Sequence, residues 1–161
     1  MDTTNLEREI TAILDQLCDC WNACEPERVR ALWDTDEPTP YAMPQEIEAP
    51  LIGWEALDGY FARARARLEA ASMRVWDVHS KLLAPDLAVA LYQMHWNGLI
   101  KGFDKPMGVD TRVTAIFRRR SAGWRICHYV EAPPAPMLHL QQRYAAAVDA
   151  AFLRIVGNSR V

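Results

Sequence analysis

Val109-Asp-Thr-Arg-Val-Thr-Ala-Ile-Phe-Arg-Arg-Arg120, then Ser121-Ala-Gly123, then Trp124-Arg-Ile-Cys-His-Tyr-Val-Glu131 is the stretch whose reading decides the fold. Its first run is rich in β-branched and aromatic residues, with polar residues at alternating places. The second run resumes with Trp124, Ile126, His128 and Val130 at period two. Two such runs around a short glycine-containing break predict a β-hairpin over 109–120 and 123–132. Arg112, His128 and Glu131 are long polar side chains within it, and a sheet that buries one face must place some of them against a pocket.

Working outward, Leu87 to Ile100 reads as the preceding strand, and Met73 to Ala84 as another, with Pro85-Asp86 turning between them. Before these, the period is helical. Leu6, Ile10, Ile13, Leu14, Leu17 and Trp21 mark one stripe of a helix over Asn5–Cys24. Pro26 can open a second, short helix through Trp33. The stretch 34–50 is irregular, with prolines at 38, 40, 44 and 50 and room for one short edge strand near Tyr41. A third helix runs from Trp54 to about Ala70, and a last one is predicted over about 137–157. Helices gathered at one end and strands in a meander predict α+β: a curved antiparallel sheet wrapped around N-terminal helices, with an extra C-terminal helix. With no repeat or linker, residues 1–161 read as one domain, its core at about 5–135.

Composition narrows the function. The chain has 161 residues, half hydrophobic and 24% charged, with a formal charge of −3, which speaks against a general nucleic-acid surface. The basic run Arg118-Arg119-Arg120 reads as a solvated hairpin tip. No stretch approaches the roughly 20 apolar residues of a membrane span, and the first residues lack an apolar signal core. The expected location is cytoplasmic, with Cys18, Cys20, Cys24 and Cys127 as reduced thiols. There is no zinc-knuckle spacing, no His-x-x-x-His, no phosphate-cradling glycine loop and no nucleophile elbow. No metal and no cofactor are therefore expected.

The order of the elements and a set of short motifs carry a resemblance. Gly53 opens a helix, Asp86-x-Ala88 follows a turn, and Arg112-x-Thr114 precedes Gly123-Trp124-Arg125-Ile126-x-His128. In this order they resemble the SnoaL-like branch of the nuclear-transport-factor-2-like (NTF2-like) superfamily, over about residues 5–135. The resemblance implies a cone-shaped fold: a strongly bent antiparallel sheet closed by helices around a deep apolar pocket. It also implies cofactor-free chemistry of the kind run by polyketide cyclases, scytalone dehydratase, ketosteroid isomerase and diarylpropane lyases, or else a non-catalytic association module. Residue by residue, Asn22 falls where such dehydratases carry an acid, and Arg74 where they carry a histidine. Arg112 matches the superfamily's pocket-facing polar residue, Glu131 falls near the acid of the epoxide hydrolases, and His128-x-Val130-x-Ala132 stands where many members read His-x-His-x-Ser. The superfamily commonly assembles through the convex sheet face, so a homodimer or homotrimer is expected.

Such a pocket needs a proton acceptor, a proton donor and a group that steadies developing negative charge. Arg74, Arg112, His128 and Glu131 are the expected catalytic set, with Arg112 and Trp96 on the concave face. Asn22, Tyr41, Trp76 and Trp96 are the expected substrate contacts. His79 and His95 have the opposite strand parity to Arg74 and Trp96 and belong on the convex face. The activity this points to is a cofactor-independent lyase or dehydratase on a small hydrophobic aromatic alcohol, for example a lignin-derived diaryl compound. That elimination could include C–C cleavage such as deformylation. An isomerase or cyclase, or a module that binds a ligand or assembles without catalysis, is the alternative.

Overall fold

A computed structural model describes residues 3–134 together with 148, 150 and 154. The expected helix over 137–157 lies, apart from the latter three positions, outside the described residues. The chain order is α1 (Thr3–Asn22), a 3-10 helix (Pro26–Leu32), β1 (Tyr41–Met43), β2 (Leu51–Ile52), α2 (Trp54–Arg67), β3 (Leu68–Ala84), β4 (Leu87–Ile100), β5 (Met107–Arg120) and β6 (Gly123–Ala132). The strands form one curved, unclosed sheet in the order β2-β1-β6-β5-β4-β3. Neighbours run antiparallel except β1 and β6, which are parallel.

Helix α1 buries Leu6, Ile10, Leu14 and Leu17, spaced four, four and three residues apart, against the sheet. It ends where Cys24 takes a left-handed φ of 56° and the Glu25 N–H returns to the Cys20 carbonyl. Pro26, with no N–H, then starts the 3-10 turn. Helix α2 stops three residues earlier than its pattern suggests, because Leu68 already pairs with Ile100 as the first residue of β3.

The predicted hairpin is present, with Val113 opposite Glu131 and Arg120 opposite Gly123. Val113, Ala115 and Phe117 of β5, together with Trp124 and Ile126 of β6, face the helices and are buried. Between Phe117–Ile126 and Ile116–His128 the register shifts, leaving Cys127 as an extra residue. This bulge changes the count: beyond it Tyr129 and Glu131, not His128 and Val130, continue on the inner face. A second irregularity lies in β3 between Trp76 and His79, where Asp77 adopts φ 55°.

The basic tip is more than a solvated edge. Asp34 is buried and accepts two hydrogen bonds from Arg120, at 2.9 and 2.8 Å, and one from Arg118 at 3.3 Å. Arg118 also reaches Glu37 at 2.7 Å. The Asp34 N–H donates to the Ile126 carbonyl, so the irregular segment is tied to the hairpin at both main chain and side chain. Burial by itself raises the Asp34 pKa, but the Arg120 hydrogen bond and the two guanidinium charges bring it below the usual carboxylate range.

Candidate functional site

Between α1, α2 and the inner sheet face lies a cavity of about 580 Å³. Its walls are largely apolar: Leu17, Trp21 and Trp33 on the helical side, Met94, Trp96 and Ile126 on the sheet. Polar groups enter from three places. Glu131 and Tyr129 come from β6, Gln45 and Glu46 from the link between β1 and β2, and Tyr60, Arg63 and Arg67 from α2.

Glu131 is the centre of this polar set. Its Oε1 accepts a 2.6 Å hydrogen bond from the Tyr129 hydroxyl, and its Oε2 accepts one from the Gln45 N–H at 3.3 Å. Burial pushes its pKa up from 4.5 to about 7, and the charge of Glu46 pushes the same way, against the lowering effect of those two hydrogen bonds. Tyr129 is itself pushed well above its ordinary value, first by burial and then by the Glu131 charge. A second carboxyl–phenol pair stands nearby: Tyr60 donates to Glu46 Oε1 at 2.7 Å, and burial, with Glu46 next, raises the Tyr60 pKa as well. Both phenols are therefore neutral hydrogen-bond donors at ordinary pH, beside a carboxyl that titrates near neutrality.

Of the eight residues singled out from the sequence, Glu131 and Trp96 line the cavity. The other six lie elsewhere. Residues paired across strands share a face. Trp96 pairs with Val109 and Met94 with Thr111, whereas Arg112 pairs with Gln93, so Arg112 is on the convex side. It is exposed there, donating to the Pro133 carbonyl at 3.1 Å. The expectation that Arg112 and Trp96 share the concave face is corrected by this register.

Arg74 pairs with His95 and Trp76 with Gln93, again convex, and the Arg74 guanidinium sits 5.5 Å over the Trp76 ring. Their inner-face neighbours are Met73 and Val75, opposite Trp96 and Met94. His128 is turned outward by the Cys127 bulge and meets the half-exposed Tyr41 edge-on, ring centroids 6.1 Å apart. Asn22 clamps the main chain of Met73, accepting its N–H at 2.5 Å and donating to its carbonyl at 3.2 Å. His95 and His79 are both on the convex side, His95 bonded to Asp110 at 2.7 Å.

Tyr129, Tyr60, Gln45, Glu46, Arg63 and Arg67 were not anticipated. Tyr129 carried a usable signal, since it stands two residues from Glu131 in one strand. Tyr60 falls at helical spacing with Leu57, Phe61 and Ala64, which hides it among apolar residues, and nothing in an irregular segment marks Gln45 or Glu46. Among the described residues no three His, Cys, Asp or Glu side chains converge on a metal-sized site, and no helix is long and apolar enough to cross a membrane.

A curved sheet closed by an N-terminal helix around such a cavity is the NTF2-like fold. The SnoaL-like domain family matches residues 10–136, and the chain belongs to it. No curated protein sequence matches the chain. Among solved structures it is similar to an NTF2-like superfamily protein from Salmonella enterica serovar Typhimurium, at 16% identity and TM-score 0.71, over 84% of this chain and 96% of that one. A candidate scytalone dehydratase from Novosphingobium aromaticivorans superimposes with TM-score 0.72 at 11% identity, over 83% and 87% of the two chains. A candidate dehydratase of the NTF2-like family from Streptomyces avermitilis gives TM-score 0.72 at 17% identity, over 84% and 100%. At these identities the likeness is one of fold.

Proposed function

We propose that this chain is a cofactor-independent dehydratase or isomerase that moves a proton on a small, largely apolar alcohol or ketone. The observation that carries this is Glu131: a carboxyl inside an apolar cavity, its pKa pushed to about 7, with the Tyr129 hydroxyl 2.6 Å away. A base whose pKa lies near the working pH combines a useful ionised fraction with real basicity. In its ionised form Glu131 takes a proton from a carbon next to a carbonyl or a leaving hydroxyl. Tyr60 and Tyr129 each have one hydroxyl proton, resting on Glu46 and Glu131, and on substrate binding these phenols turn to donate it to the oxygen on which negative charge grows. Trp96, with Trp21 and Trp33 across the cavity, offers flat surfaces for a ring. The narrower version is elimination from an aromatic alcohol such as a lignin-derived diaryl compound, which suits those walls in size and polarity.

The test is a panel of aryl diols, hydroxylated naphthalenes and steroid ketones, assayed with and without chelator. With a substrate in hand, Glu131→Gln should lower kcat by about 10²–10⁴-fold. The wild-type kcat/KM should rise with pH through an apparent pKa near 7, the sign required of a base. A fully active Glu131→Gln enzyme would overturn the assignment.

One observation favours the second reading, a non-catalytic ligand-binding module: among the described residues no histidine lines the cavity. Tight binding across the panel without turnover would select it. We also propose that the convex face, where Leu91, Tyr41 and Met43 are exposed, joins copies of the chain into a homodimer or homotrimer. Light scattering at the mass of one chain would exclude that. The free thiols of Cys18, Cys20, Cys24 and Cys127 are in keeping with a reducing, cytoplasmic location.

A further inference from the structure

We infer that the ligand of this cavity carries a carboxylate, held at the cavity mouth by Arg63 and Arg67. The inference deepens the reading of the cavity as a substrate site and rests on it. Arg63 and Arg67 are four residues apart, on one face of α2, and both line the cavity. Between them in sequence, Arg65 points elsewhere and reaches Glu27 at 3.7 Å.

That contrast recurs through the chain. Arg28 has Glu25, Arg30 has Asp58, and Arg118 and Arg120 share Asp34. Arg63 and Arg67 have no carboxylate partner among the described residues, although acidic residues outnumber basic ones by 21 to 18. Arg74, Arg112 and Arg125 also lack one, but they lie outside the cavity, on the Trp76 ring and on the Pro133 and Trp124 carbonyls. The two unmatched cations that face an apolar cavity are thus the two placed to meet an anion entering it.

The geometry gives the ligand a polarity along its length. Tyr60, which holds Glu46 and stands near Glu131, begins the row, and Arg67 is seven residues on, about 10 Å along the helix axis. The reacting end belongs beside Tyr60 and Glu131, and the carboxylate one to two helical turns away. Across the mouth, Phe103 and Met107 present exposed apolar side chains to the middle of such a molecule. Two guanidinium groups a turn apart suit a carboxylate, which accepts a separate hydrogen bond on each oxygen.

The experiment is titration calorimetry of the full chain with 5-phenylpentanoate and with its uncharged primary amide. The carboxylate should bind about tenfold or more tighter than the amide. In the double variant Arg63→Met, Arg67→Met, which keeps apolar stems of similar length, the carboxylate should fall to the amide's affinity while the amide changes by no more than about twofold. Raising the salt concentration should weaken only the carboxylate. Equal affinities in the wild type, or a preference that survives in the double variant, would overturn the mouth assignment and leave the cavity as a binding site. Failure of both probes to bind would overturn both.

Discussion

Glu131 makes stability depend on pH in a direction opposite to most carboxyl groups, and Glu131→Gln isolates that dependence. In the folded chain its pKa is about 7, against 4.5 when unhindered. Between those values the folded state holds a proton that the unfolded state has released. Stability therefore falls as pH rises through this window. The contribution is fully present below about pH 4.5 and lost above about pH 7. Two and a half pH units at 1.36 kcal/mol each give about 3 kcal/mol, an upper figure because the side chain is only partly closed off from solvent. A glutamine keeps the shape and cannot titrate. Urea unfolding of both proteins at a series of pH values from 4.5 to 7.5 measures the effect. Subtracting one curve from the other removes the other titrating groups, including Asp34, whose lowered pKa acts with the opposite sign. Relative to the variant, the wild type should lose about 2–3 kcal/mol across the range. Parallel curves, within the error of about 10–15% on each extrapolated value, would refute the picture of a carboxyl buried in an apolar cavity.

Asp34→Asn should cost about 3 kcal/mol, read from the urea midpoint, since it leaves Arg118 and Arg120 without their buried acid. The wild type should lose this Asp34 contribution on acidification, as pH falls through the lowered Asp34 pKa, and the variant should not. Asn22→Ala removes both hydrogen bonds to the Met73 main chain and should destabilise by about 1–3 kcal/mol in the same assay. Gly98→Ala places a Cβ 2.2 Å from the Trp96 indole, so the ring must leave its seat in the cavity wall. Expected are a loss of about 1–3 kcal/mol, a shift in tryptophan emission and weaker binding of apolar probes; unchanged emission and binding would show that the ring does not depend on that glycine.

The elements themselves were legible because core burial imposes the periods that reveal them. Leu6, Ile10, Leu14 and Leu17 could only be a helix face, and the alternation on both sides of Gly123 could only be a hairpin. What could not be read was the face that each polar residue takes. Counting by twos from Trp124 carries His128 inward, and one extra residue at Cys127 reverses the count. In β3, the irregularity at Asp77 breaks the count in the same way. Arg112 is a different case. Val113, Ala115 and Phe117 alternate as the apolar, inward face of β5 and so put Arg112 outward, against what the family resemblance implies. Glu46 and Tyr60 meet because a non-repetitive segment crosses α2, and no period encodes such a crossing.

Cys127 has a consequence for how such a chain can change. A regular strand that kept this residue would carry His128 and Val130 into the cavity and turn Tyr129 and Glu131 out. A strand that lost it would need no bulge, and Tyr129 and Glu131 would stay where they are, two and four places after Ile126. The buried thiol sits at this junction, its sulfur 3.4 Å from the Ile116 carbonyl. The bulge, rather than the Cys127 codon, therefore stands between a carboxylate cavity and an imidazole cavity on one scaffold. Deletion of that codon is the mild change, while substitutions that straighten the strand exchange the ionisable group at the heart of the protein.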